Sequence, residues 1–179
     1  MLLVKNMVYI VENLVLVDKN DENVGTAPKT EVHRKKLRHR AFSVFLTDGK
    51  NRTLLQQRAL GKYHSAGLWG NSCCGHPRPA EDIASAARRR VHEELGLHVE
   101  LTWVGKTAYS VDVGNGLTEN EITHVFTGQA SDVLAPDPDE VSATRWVDIT
   151  DLSTLIQSSP EEFGSWLGHV AAVFLASHQ

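Results

Sequence analysis

The densest chemistry in this 179-residue chain lies between Gly75 and Leu97, where the sequence reads GHPRPAEDIASAARRRVHEELGL. Glu81, Glu93 and Glu94 supply carboxylates there, and Arg89 and Arg90 supply guanidinium groups. A hard divalent cation that bridges phosphate oxygens wants several carboxylate ligands, so this segment can serve a metal site that takes phosphate groups. A plainer reading stands beside it. Arg89–Glu93 and Arg90–Glu94 are four residues apart on a helix and can form surface ion pairs worth about 0.2–0.5 kcal/mol each. Further along, Glu119 and Glu121 flank Asn120. Residues two apart in a strand face the same way, so both carboxylates can grip one ion while Asn120 turns aside. Cys73 and Cys74 are the only cysteines, and neighbours in an extended segment are poorly placed to bridge each other. A free thiol titrates at about 8.5, so modest changes of environment can hold it protonated or deprotonated.

These groups need elements to position them. The segment 81–95 lacks Gly and Pro, carries Ala84, Ala86, Ala87 and Val91, and is followed by Gly96, which together predict one helix with a definite stop. Short β-branched and apolar runs at 14–17, 42–47, 53–57, 104–113, 122–127 and 144–147 read as strands, separated by turns such as DKND, DGKN and VGNG. Two further helices are expected over 150–156 and 160–175, the second opened by Pro160. No repeat, low-complexity tract or linker divides the chain, and APDPDE at 135–140 is short enough to be a loop. The expectation is one mixed α/β domain over 1–179, with residues 1–8 as an N-terminal extension.

Apolar residues make up 41% and charged residues 22%, a globular composition rather than a disordered one. A net charge of −4 gives no general attraction for nucleic acid or anionic lipid, so an anionic ligand must be drawn by a local cluster of cations. The basic run HRKKLRHR at 33–40 has no interleaved aromatics, which favours such an anion funnel over nucleic-acid binding. The apolar opening is interrupted by Lys5 and Glu12 before a membrane span accumulates. A cytoplasmic protein, monomeric and without nucleic-acid or membrane partners, is expected.

The run from Gly75 to Leu97 resembles the Nudix box: Gly, five residues, Glu, seven residues, Arg-Glu, an apolar residue, any residue, Glu-Glu, any residue, Gly, apolar. Gly75, Glu81, Arg89, Val91, Glu93, Glu94, Gly96 and Leu97 fall on that pattern. Arg90 stands where hydrolases of the superfamily usually carry Glu. Nudix-type isopentenyl-diphosphate isomerases are similar to this chain in having a second Arg there while keeping the later Glu. The resemblance implies an α/β (α+β) fold, a Nudix-type mixed β-sheet sandwiched by helices. It also implies a Mg²⁺ site to which Glu94 contributes and which the substrate diphosphate shares.

The likeness to the isomerases extends outward. LWGNSCCGHP at 68–77 resembles their cysteine-bearing segment, which implies that Cys74 is the reactive cysteine and His76 a metal ligand. TENEITHVF at 118–126 resembles their Glu-Asn-Glu strand, implying Glu119 as a metal ligand and Glu121 as both ligand and catalytic carboxylate. PKTEVHRKKLRHRAFSVF resembles the segment that supplies two further histidines, His33 and His39. Three imidazoles and two carboxylates would suit Mn²⁺ or Zn²⁺. By the same resemblance Lys29, Arg58 and Lys62 would bind the diphosphate, Tyr109 would hydrogen-bond near the catalytic carboxylate, and Trp69 and Trp166 would offer π faces to a cationic intermediate. His64, His92, His98, His124, His169 and His178 read as structural, and Cys73 as a small buried residue pointing away from Cys74. The implied activity is movement of a double bond in a prenyl diphosphate; the alternatives are a Nudix pyrophosphohydrolase and a noncatalytic Nudix module.

Overall fold

In order along a computed structural model that describes residues 12–130 and 134–178, β1 (Asn13–Val17) and β2 (Asn23–Pro28) form a hairpin and α1 (Lys29–Arg34) follows directly. Next come β3 (His39–Thr47), β4 (Arg52–Arg58), β5 (Trp69–Gly70), β6 (Cys73–Gly75) and α2 (Ile83–Leu95). The long strands β7 (Thr102–Gly114) and β8 (Leu117–Gln129), then β9 (Val141–Asp148), α3 (Leu152–Ser158) and α4 (Leu167–Ala176), complete the chain. The expected extension 1–8 lies outside the described residues. Each strand expected from sequence lies within an observed one, whereas β2, the single-turn-scale α1 and the two short strands β5 and β6 carry too few residues to show a period.

β3 is apolar on both sides because both of its faces are covered. Phe42, Val44 and Leu46 point to one core layer, with Leu54, Cys73 and the α2 residues Ala86, Ala87, Val91 and Leu95. Phe45 points to the other layer, with Leu55, Val125 and Leu167, Val170, Ala171 and Phe174 of α4. The rings of Phe45 and Phe174 stack at 4.4 Å and 8°. The expected sandwich of a mixed sheet between helices is therefore what the chain forms.

The box helix starts at Ile83 rather than 81, because Asp82 caps it by accepting a hydrogen bond from the Ser85 backbone N–H at 2.9 Å. It stops at Gly96, whose φ of 70° is left-handed and whose N–H donates to the His92 carbonyl at 2.9 Å. A Cβ there would lie 2.8 Å from Ala135 Cβ and 3.0 Å from the Ala135 carbonyl oxygen. Gly96→Ala should therefore lower stability in urea by about 1–3 kcal/mol, strain and clash acting together.

The helix expected over 160–175 is shorter than the sequence implies. Pro160–Glu162 forms a 3₁₀ turn, Phe163 is extended with φ −116° and ψ 149°, and α4 begins only at Leu167. Tertiary pairing outweighs the local pattern here: Phe163 bridges to Trp69, and the Gly164 N–H donates to the Trp69 carbonyl at 2.9 Å. The segment expected as a helix over 150–156 is a 3₁₀ turn, Ile149–Asp151, running into α3.

Strand register does most of the positioning. β3 and β8 are parallel with His39 opposite Glu121, and β7 and β8 are antiparallel with Tyr109 opposite Glu121. On the other edge of β3, β6 is antiparallel with Ser43 opposite Cys74. Directly opposed residues share a face, and so do His39 and Ser43, an even number of positions apart. His39, Glu119, Glu121, Tyr109 and Cys74 thus come to one side of the sheet, while Cys73 goes to the α2 side.

Candidate active site and metal centre

On that shared face the side chains line a cavity of about 1010 Å³, bounded by residues that include Lys29, Arg58, Lys62, Cys74, His76, Glu94, Tyr109, Glu119, Glu121 and Trp166. Beside the lining residue Glu119, His33 and His39 are fully buried. Each imidazole has its Nδ1 on a backbone carbonyl, His33 on Lys29 at 2.8 Å and His39 on Leu37 at 2.9 Å. Those contacts fix Nδ1 as an N–H donor, so in the neutral ring the lone pair is on Nε2 and aimed inward, the arrangement that metal-binding histidines use. His33 Nε2 and His39 Nε2 lie 2.9 and 3.3 Å from Glu119 Oε2, yet these three buried atoms have no aligned hydrogen bond. Close convergence without hydrogen-bond alignment fits a shared cation better than a polar network. One ligand atom each from His33, His39, His76 and Glu119 lies within 4.8 Å of the others, so this group can hold a divalent metal ion. Glu121 stands beside it, with Oε1 3.1 Å from His76 Nε2 and 3.5 Å from His39 Nε2.

The electrostatics point the same way. Burial disfavours a charged His39, but the carboxylates of Glu119 and Glu121 outweigh it and raise the ring to about 10. Burial disfavours ionised Glu119 too, yet His33, His39 and His64 hold it well below the usual carboxylate range. Burial and the charge of Glu119 both push Glu121 up, and His39 and His76 pull it down further, so it stays ionised. The two carboxylates demand positive charge at the place where the imidazole lone pairs converge.

Glu121 Oε2 accepts two hydrogen bonds, from Tyr109 Oη at 2.5 Å and from Thr123 Oγ1 at 2.7 Å. Burial, reinforced by the charge of Glu121, pushes the Tyr109 hydroxyl well above its ordinary value. Cys74, partly buried, lines the same cavity from β6, and its thiol is pushed up to about 12 by burial, against the pull of Arg58. Near neutral pH the site therefore presents a protonated thiol and an ionised carboxylate from different strands.

Glu94, at the last turn of α2, is buried on the far side of the cavity. Burial raises its pKa, opposed by Arg90 at 2.5 Å and by the Gln56 amide, which donates to Oε2 at 2.9 Å. The helix ion pairs of the plainer reading are also present: Arg89 contacts Glu93 at 3.2 Å and binds Glu81 through Nε at 2.7 Å. Glu94 thus belongs to a local charge network and lines the cavity as well.

Among the cations, Arg58 donates to the His64 carbonyl at 3.3 Å and lies 5.6 Å over the Trp166 ring. Lys62 pairs with Glu140 at 2.5 Å, and Lys29 pairs with Glu12 at 2.8 Å beneath Tyr63. Trp166 is buried with its indole N–H on Asn71 Oδ1 at 3.2 Å, and it lines the cavity. Trp69 is the expected site residue that the structure places elsewhere. It does not line the cavity, because Arg145 stacks on its ring at 4.1 Å and its backbone pairs with β4 and Phe163. His64, read from sequence as structural, instead lies in the site with Nε2 3.2 Å from Glu119 Oε1. Tyr63 and Glu140 also line the cavity. Their types carry no motif: Tyr63 comes in with the loop between β4 and β5, and Glu140 with the turn that precedes β9.

Comparison with known proteins identifies relatives. A NUDIX domain family profile matches residues 37–167. A Burkholderia multivorans protein named isopentenyl-diphosphate Delta-isomerase is 46% identical over 87% of this chain and 88% of its own length. A Cereibacter sphaeroides protein of the same name is 47% identical over 84% of each chain. Among solved structures, one from Deinococcus radiodurans aligns with a TM-score of 0.74 at 18% identity, covering 90% of this chain and 98% of that one. A MutT protein from Methanosarcina mazei aligns at 0.65 and 17% identity over 79% of this chain and 96% of its own. At such identities the structural likeness establishes the fold.

Proposed function

We propose that this chain, which belongs to the isopentenyl-diphosphate Delta-isomerases of the Nudix family, interconverts isopentenyl diphosphate and dimethylallyl diphosphate. The observation that carries the reading is the joint presence of the Cys74 thiol and the Glu121–Tyr109 pair on one cavity, reached from separate strands.

The reaction adds a proton to the terminal methylene carbon and removes a different proton from the carbon next to the carbinol. Between these events the substrate resembles a tertiary carbocation, which water would capture. The site must therefore exclude water, hold an acid and a base on opposite sides of a flat alkene, and stabilise positive charge without a nucleophile. Cys74 serves one side, and Glu121 with Tyr109 serves the other, the two sides exchanging acid and base roles with the direction of reaction. Burial keeps Cys74 as a thiol and the imidazoles keep Glu121 ionised, so the resting pair is one acid and one base. Trp166 lines the cavity, and its ring face would attract the cation without attacking it, an interaction worth about 0.5–2 kcal/mol.

Lys29, Arg58 and Lys62 bind the diphosphate, Arg58 as a planar fork and the lysines as point charges. His33, His39, His76, Glu119 and Glu121 would hold Mn²⁺ or Zn²⁺, and Glu94 would contribute to a Mg²⁺ site; such ions would supply positive charge beside Glu121 and the diphosphate oxygens. The ligand is a small prenyl diphosphate. No helix among the described residues is long and apolar enough to cross a membrane.

Incubation with isopentenyl diphosphate and Mg²⁺ in D₂O tests the reading. NMR should show dimethylallyl product with deuterium in a methyl group. Release of phosphate or pyrophosphate without deuterium in the prenyl chain would replace it with a hydrolase. Two variants probe individual roles. Glu94→Gln should raise the Mg²⁺ concentration needed for half-maximal rate by about tenfold, or ~1.4 kcal/mol, with little change in Tm. An unchanged Mg²⁺ dependence would leave Glu94 with only its Arg90 and Gln56 contacts. Tyr109→Phe should lower kcat by about 10²-fold with KM nearly constant, since the hydroxyl contacts the carboxylate that takes part in proton transfer.

A further inference from the structure

We infer that His64 is a positioning residue for the metal-site carboxylate Glu119, and that it ties that carboxylate to the arginine at the cavity mouth. The inference rests on the reading of His33, His39, His76 and Glu119 as a metal centre, and not on the identity of the substrate. Glu119 has two oxygens with different surroundings. Oε2 faces His33 and His39 at 2.9 and 3.3 Å, whereas Oε1 is turned away from them and has His64 Nε2 at 3.2 Å. A carboxylate that binds a cation through one oxygen can still swing about its last torsion, and a partner on the second oxygen removes that freedom.

His64 is itself held on several sides. It is 5% exposed, its Nδ1 lies 3.2 Å from Ser65 Oγ, and Tyr63 packs edge-on at 4.4 Å. The tautomer in which the Ser65 hydroxyl donates to Nδ1 puts the N–H on Nε2, 3.2 Å from Glu119 Oε1, and in that tautomer the imidazole supports the carboxylate rather than ligating a metal. The ligand group within 4.8 Å comprises His33, His39, His76 and Glu119 without His64, which agrees with a supporting role. At the same time the backbone carbonyl of His64 accepts both Arg58 Nε and Arg58 Nη2 at 3.3 Å. One residue thus contacts Glu119 with its ring and Arg58 with its carbonyl, linking the metal-site carboxylate to that guanidinium.

Titration of the metal-free protein with Co²⁺, followed by calorimetry and by the visible absorption of the bound ion, tests this. His64→Ala should weaken Co²⁺ binding by about 10–100-fold, the range seen when a ligand's hydrogen-bonding partner is removed. It should also alter the absorption band as Glu119 loses its fixed orientation. His64→Gln, whose amide N–H can replace the ring donor, should recover most of the affinity. His98→Ala, outside the cavity, should match the parent. Wild-type Co²⁺ affinity in a folded His64→Ala protein would overturn the inference, and so would a Gln variant no better than Ala. No substrate enters this measurement, so its failure is separate from failure of the isomerase reading, which the deuterium experiment decides.

Discussion

Replacing Cys74 with Ala should lower kcat by about 10²–10⁴-fold, the contribution expected of a positioned proton donor or acceptor. The dissociation constant for prenyl diphosphate, measured by calorimetry, should change by less than about threefold, because the binding cations Lys29, Arg58 and Lys62 are untouched. The thiol is small and lies on the cavity wall rather than under α2, so its loss removes a reacting group without opening the core. Deuterium exchange into the substrate should cease along with turnover. A Cys74→Ala protein with near-normal rate would take the thiol out of the mechanism and leave Tyr109 and Glu121 to perform both transfers. Because burial holds Cys74 near 12, alkylation by iodoacetamide at pH 8 should be far slower than for an ordinary exposed thiol.

The second large effect is expected at Glu119. Glu119→Gln should eliminate one tightly held divalent ion per chain by elemental analysis and reduce kcat by about 10³-fold or more, since Glu121 then loses the charge that orients it. Stability should also fall, by about 1–3 kcal/mol, because His33 Nε2 and His39 Nε2 are fully buried and would lose the carboxylate they face. The pH dependence of the metal-free protein follows from His39. Its folded pKa of about 10 lies above the ordinary 6.5, so the stabilisation from its protonation is complete below pH 6.5 and is lost as pH rises through about 10. Metal binding runs the other way, since the ligating imidazoles must be neutral, and Co²⁺ or Mn²⁺ affinity should increase with pH across the same window. Thermal melts of the metal-free and metal-loaded protein at pH 6.5 and 9.5 should therefore change in opposite directions, and parallel changes would argue against a metal site at these histidines.

The parts of the molecule legible in the sequence were those with local periodicity. The box helix shows its alanines, its carboxylates and its terminal Gly96 within one short stretch, and Glu119 and Glu121 announce a shared face by their spacing alone. Residues assembled through tertiary pairing were harder to read. Nothing local links His39 to Glu121, and only the parallel register of β3 against β8 makes them neighbours. His64 and Tyr63 sit in a segment without periodicity between β4 and β5, so their approach to Glu119 and His33 depends on the path of that segment across the cavity mouth. Trp69 illustrates the converse. A tryptophan that resemblance assigns to the substrate has its face covered by Arg145, a residue far along the chain that no motif connects to it. The late start of α4 has the same origin, since the Phe163 bridge to Trp69 competes with helix formation after Pro160.

The placement of Cys73 under α2 and Cys74 on the cavity has a bearing on oxidative damage. A peroxide that diffuses into the cleft meets a single sulfur, and the adjacent residue faces the opposite side of the sheet, where it cannot act as a resolving thiol. Sulfenic acid formed at Cys74 has no internal route to a disulfide and must be reduced by an external thiol or advance to the sulfinic state. The scarcity of thiolate that slows alkylation also slows this first step, so the burial that keeps the residue protonated guards it against inactivation.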